Sequence, residues 1–140
     1  MGNQSFCCEV TDLHALFERA FTEGDADGGL MTNFATRMHE SFWLIDPRGV
    51  RRDRDAIVEA VSRRVGSGPI TIEVDQCCVV AEATGLTVGT YVEKHTTIEY
   101  KTERHATVGM RPDTNSPSGW TWLFVHETWV SQEAASSGHA

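Results

Sequence analysis

No apolar stretch in this 140-residue chain approaches the ~20 residues needed to cross a bilayer. The N-terminal residues carry no basic segment followed by an apolar one. Both absences lead us to expect a cytoplasmic protein. Basic residues are few, with 12 Lys and Arg against 20 Asp and Glu and a formal net charge of −8. Nucleic acid and anionic membranes reward clustered Lys and Arg, so neither is expected as a partner. The one basic run, Arg48 to Arg54, is short and interrupted by Asp53, and it reads as a solvated hairpin and helix start. Cysteine is limited to two adjacent pairs, Cys7-Cys8 and Cys77-Cys78, with no CxxC spacing. Neighbouring strand side chains point to opposite faces, which suits neither pair to sharing one metal, and reduced thiols are the expectation. A Gly-rich phosphate loop and a G-x-S-x-G motif are also missing. His95 and His105, with Tyr91, Glu93 and Glu103 nearby, lack a metal-ligand spacing signature. We therefore expect no metal and no cofactor.

What is present is a globular composition, 40% hydrophobic and 23% charged, with length for one domain and a real core. From Val10 to Gly24 the residues Val10, Leu13, Leu16, Phe17, Ala20 and Phe21 form one apolar stripe at helical spacing. Thr11 or Asp12 could cap that helix, and Gly24 ends it. A second helix carries Leu30, Met31, Phe34, Ala35 and Met38, after a first turn weakened by Gly28 and Gly29. The short run Phe42 to Ile45 closes on the turn Asp46-Pro-Arg-Gly49. Asp53 or Asp55 caps a third helix with Ile57, Val58, Val61 and Val65 on one side. Beyond residue 69 the chain reads as four long strands, with a bend or bulge at Gly89 and a polar hairpin loop from Arg111 to Gly119. His14 and His39 read as boundary groups on helices. Residues 1–9 read as an N-terminal extension, 10–130 as the domain and 131–140 as a flexible tail.

The fold class this order predicts is α+β, with three N-terminal helices gathered on one face of a curved antiparallel sheet. A sheet bent around helices commonly leaves an apolar pocket at its open end.

Several segments carry a family likeness: Glu23-Gly-Asp25, Leu44-Ile-Asp-Pro-Arg-Gly49, Asp53-Arg-Asp-Ala-Ile57, Arg104-His-Ala-Thr-Val108 and above all Trp122-Leu-Phe-Val-His-Glu-Thr-Trp129. On these residues the chain resembles the NTF2-like (cystatin-like) superfamily, and within it the small DUF4440 or SnoaL-like bacterial proteins. The resemblance spans roughly residues 10–130 and implies a conical barrel with a ligand-sized cavity, commonly a homodimer through the outer sheet face. It says little of activity, since the superfamily holds isomerases, cyclases, dehydratases and non-catalytic binders.

Strict alternation in the last strand puts Trp122, Phe124, His126 and Thr128 on one face and Leu123, Val125, Glu127 and Trp129 on the other. The first set is assigned to the interior. Leu123, Val125 and Trp129 are assigned to a homodimer interface. Asp46 matches in position the Asp-Pro base of the ketosteroid isomerases, although Asp-Pro also simply opens turns. Phe17 stands where those enzymes place a donor Tyr, and it cannot donate. His126 is a second catalytic candidate, as a general base or as a hydrogen-bonded structural histidine. Phe17, Phe21, Phe34, Phe42, Trp43, Trp122 and Phe124 are the expected pocket aromatics. A small apolar or amphipathic ligand is the expected partner, an isomerase-like or cyclase-like enzyme or an interaction module the alternatives.

Overall fold

The computed structural model describes residues 2–134; the expected tail lies outside the described residues except for 131–134, which are strand. The first helix, α1 (Gly2–Glu23), is followed by α2 (Gly29–Arg37), β1 (Met38–Ile45), β2 (Arg51–Asp53), α3 (Arg54–Ser62), β3 (Thr71–Ala83), β4 (Leu86–Thr96), β5 (Tyr100–Pro112) and β6 (Trp120–Ala134). The strands form one six-stranded sheet in the order β2-β1-β6-β5-β4-β3. Its pairings are antiparallel except β1 with β6, which run parallel. That joint is where the first strand, arriving from the helices, meets the last.

Residues 2–9 are not an extension but the first turns of α1. Phe6 continues the stripe one turn upstream of Val10, and both are fully buried. The Phe6 ring meets Trp120 edge-on at 5.8 Å between centroids. No cap at Thr11 or Asp12 is needed, because the helix starts earlier. The second helix is capped from a distance: the Asp25 carboxylate accepts from the backbone N–H of Leu30 and Met31, both at 2.9 Å. For α3 the cap is Asp53, whose side chain accepts from Ala56 N–H.

The irregularity expected at Gly89 lies on its β3 side, where Val79 pairs with Gly89 and Ala81 with Val88 so that Val80 is extra, whereas the β4–β5 ladder runs unbroken from Thr87 to Thr96. The reason for Gly89 is room. A Cβ there would stand 2.4 Å from the Phe6 ring and 2.9 Å from the Cys78 carbonyl oxygen, so only glycine lets α1 lie this close to the sheet.

The expectation of reduced thiols is overturned for one pair: Cys7 on α1 and Cys77 on β3 form a disulfide with 5.8 Å between their Cα atoms. Cys8 and Cys78 are free and exposed. The partners lie 70 residues apart, and it is the packing of α1 across β3 that joins them. Closing a loop of that length restricts the unfolded chain by about 4 kcal/mol in the chain-entropy account. Replacing Cys7 and Cys77 together by Ser should therefore lower the denaturant midpoint substantially, and dithiothreitol should do the same to the wild type. A wild-type midpoint indifferent to reductant would show that the bridge contributes nothing.

Candidate functional site

The sheet's concave face and the three helices enclose a cavity of about 360 Å³. One wall is apolar. Phe17, Phe21, Phe34, Phe42 and Trp122 line it; Phe17 stacks parallel to Phe21 at 5.9 Å and meets Phe34 edge-on at 4.9 Å. Trp43 and Phe124 do not join them. They stack on each other at 5.1 Å on the opposite face of the sheet, where Arg51 covers Trp43.

The reason is a bulge in β6. Met110 pairs with Trp122 and the adjacent Gly109 with Phe124, so Leu123 is an extra residue. Each side chain beyond it changes face. His126 is exposed on the outer face, away from the cavity, and the acid or base role assigned to it has no site there. Val125 is buried inside rather than at an interface. Trp129 also turns inward, beneath the Arg104 guanidinium at 4.7 Å. Glu127 takes the inner position.

The second wall is polar and buried. Tyr91, Glu93 and His95 alternate inward along β4, with His14 facing them from α1. His14 was expected at a boundary, yet it is 4% exposed. Its Nδ1 donates to the Val10 carbonyl oxygen at 2.7 Å, and its Nε2 meets Glu93 Oε1 at 3.1 Å. Both ring nitrogens face acceptors, so the imidazolium form satisfies the site. Burial pulls the His14 pKa down, but the Glu93 carboxylate and the hydrogen bonds outweigh it and the net shift is upward. His95 donates to the other Glu93 oxygen. Burial disfavours the Glu93 anion, yet the two histidines hold its pKa well below the usual carboxylate range. His105, one strand away, is exposed on the other face. Among the described residues no group of three or more His, Cys, Asp or Glu side chains is disposed to hold a metal ion.

Glu127 behaves oppositely. Burial and the nearby Glu93 charge push its pKa up to about 7, against the pull of Arg104, which donates to it at 3.1 Å. Two carboxyl groups on one wall are thus driven apart, one a fixed anion and the other poised near neutrality. Such a pair can move a proton at physiological pH.

Asp46 also lines the cavity, but as a satisfied turn residue. It accepts from the backbone N–H of Arg48 at 2.9 Å and of Val50 at 3.0 Å, and from Arg52 at 2.7 Å. Burial opposes the anion, and those donors overcome it, bringing the pKa to about 2. A carboxylate so stabilised is a weak base at neutral pH. Sequence reasoning missed Glu127 because the bulge was invisible to it. The clue to His14 was available: positions 10, 14, 17 and 21 share one helix face.

No family model and no curated protein matches the sequence. Solved structures do. An NTF2-like protein of unknown function from Pseudomonas aeruginosa superposes with a TM-score of 0.82 at 21% identity, covering 91% of this chain and 99% of that one. An uncharacterised protein with a cystatin-like fold from Caulobacter vibrioides gives 0.69 at 13% identity, over 93% and 90% of the two chains. A candidate ketosteroid isomerase from Parabacteroides distasonis gives 0.58 at 13% identity, over 84% of each. The chain therefore has the α+β NTF2-like, cystatin-like fold. No helix among the described residues is long and apolar enough to cross a membrane.

The pKa directions set a sign for stability against pH. Glu127 holds its proton more tightly folded than unfolded, so between its ordinary value of 4.5 and about 7 the folded state binds more protons. Stability should fall as pH rises through that window. Glu127→Gln should flatten this part of the curve, as read from denaturant midpoints at half-unit pH steps. A carboxyl titrating near 4.5 in a carbon-13 NMR titration of Glu127 would remove both the slope and its fitness as a base.

Proposed function

We propose that this chain is a homodimeric binder of a small apolar or amphipathic molecule, of the DUF4440 or SnoaL-like sort within its fold. The observation that carries the reading is the cavity itself: five aromatic side chains line it without filling it, and a buried polar wall faces them. Apolar lining supplies affinity, and a few fixed polar groups orient the occupant. A proton-transfer enzyme of the isomerase or cyclase kind is the alternative, and here it would run through Glu127, not Asp46. The split between Glu93 and Glu127 favours it.

A thermal-shift screen against small hydrophobic compounds and steroids tests the binding reading. Ligand at about 100 times Kd should stabilise by about 2.7 kcal/mol, a rise of several degrees in Tm. Phe17→Trp, which adds bulk to the apolar wall, should abolish the rise while leaving the unliganded Tm close to wild type. A screen without any rise in the wild type would overturn the proposal.

The homodimer reading rests on the outer sheet face, with the interface residues revised. Trp43, Ile45 and Phe124 lie there on β1 and β6, with Val88 on β4. Trp43→Glu places a charge amid them. Light scattering at micromolar concentration should then read about twice 15.5 kDa for the wild type and a monomer for the variant. A monomeric wild type sinks this part.

A further inference from the structure

The chain is acidic, with a formal net charge of −8, yet its cavity is not. Four arginines, Arg48, Arg52, Arg64 and Arg104, line it against three carboxyl groups, Asp46, Glu93 and Glu127. Every carboxyl is already engaged: Asp46 by Arg52, Glu93 by the two histidines, Glu127 by Arg104. Arg52 and Arg104 are engaged in the same pairs. Arg48 reaches Asp46 only at 3.5 Å, with a side chain 70% exposed.

Arg64 is different. Among the described residues no carboxylate lies within ion-pair distance of its guanidinium. The group is half-buried and lies 4.5 Å above the Phe21 ring. Its Nη2 donates to the Tyr100 hydroxyl at 3.4 Å, a long and weak bond. An aromatic ring beneath a guanidinium engages its charge without occupying its N–H groups, which stay free to bond a ligand. Arg64 lines both the main cavity and the hollow beside it, which His95, Arg104 and Trp129 also line together with Glu99 and Glu133, neither carboxylate within ion-pair distance of Arg64. A charge held half out of water without a counter-ion, at the junction of two hollows in an otherwise acidic protein, is suited to an anion.

We propose that the occupant of the cavity is an anion, a small carboxylate on a planar or alicyclic apolar body. Its carboxylate binds Arg64, and its body extends inward over Phe21, Phe17 and Phe34. This rests on the reading that the cavity takes a ligand, and it adds the ligand's charge and its orientation. A fork of N–H groups matches a carboxylate in two parallel bonds, and a neutral amide of the same shape cannot accept both.

Isothermal titration calorimetry with 2-naphthoate and 2-naphthamide separates shape from charge. The wild type should bind the carboxylate at least about tenfold more tightly than the amide, a difference of about 1.4 kcal/mol. In Arg64→Gln the preference should shrink to about twofold, chiefly through weaker carboxylate binding, and Arg64→Lys should restore part of it. Arg63→Gln removes the same charge from an exposed neighbour paired with Glu59 and should leave the preference intact. Equal binding of the two probes by the wild type overturns the anion inference while the cavity reading stands. An equal loss of preference in Arg63→Gln assigns the effect to the general field and overturns the role of Arg64. If the wild type binds neither probe, this inference falls; if the thermal-shift screen also finds no ligand, the binding reading falls with it. The wild-type comparison requires no variant to fold.

Discussion

An unpaired residue in β6 governs what the cavity contains. Because Leu123 has no opposite number on β5, the strand enters with Trp122 inward and continues with Val125, Glu127 and Trp129 inward. Without the bulge, strict alternation would turn Phe124, His126 and Thr128 to the interior and expel Glu127 to the outer face. The cavity would gain an aromatic ring and an imidazole and lose the carboxyl whose burial sets its protonation. Gly109 complements the arrangement, since a Cβ there would stand 2.2 Å from the Phe124 ring. A bare backbone at that point lets Phe124 lie flat and stack on Trp43.

Charge as well as apolar area seats the helices. Glu9, 4% exposed, accepts from Arg37 at 3.2 Å and from the Trp122 indole at 2.8 Å, and Arg37 also reaches Asp12 at 2.9 Å. This network ties α1 to α2 and to β6. His14 and Glu93 tie α1 to β4. Buried pairs of this kind add little net stability over apolar replacements, but removing one partner strands a charge and costs about 3–5 kcal/mol. Their geometry matches one register: the rotation that sets Phe17 and Phe21 over the cavity is the one that brings Glu9 to Arg37 and His14 to Glu93.

Local pattern made the helices legible, and distant partners made the site hard to read. The stripe through Leu13 and Phe21 and the Asp46 turn are each written in a few adjacent residues. So is the Asp53 cap. The burial of His14 was readable from its place on the stripe, although a polar residue there invites a surface reading. Inner and outer faces of β6 were not readable, because a bulge depends on how β5 pairs with it. The Cys7–Cys77 bridge was hidden for a similar reason. Adjacent cysteines looked unsuited to each other, and in fact one member of each pair had its partner in the other.

That bridge also bears on how the interior is reached. Cys7 and Phe21 lie 14 positions apart on α1, about 21 Å along the axis. The helix is thus fastened covalently to β3 near one tip, while its other tip is held without a covalent bond, by packing of Ala20 and Phe21 on Ile70 and Ile72 and by hydrogen bonds that Thr22 and Glu18 accept from Ile70 and Ile72 N–H. A rod pinned at one end can swing only at the other. Any loosening of α1 that leaves the bridge intact must therefore begin at the Phe21 end, over which Arg64 lies.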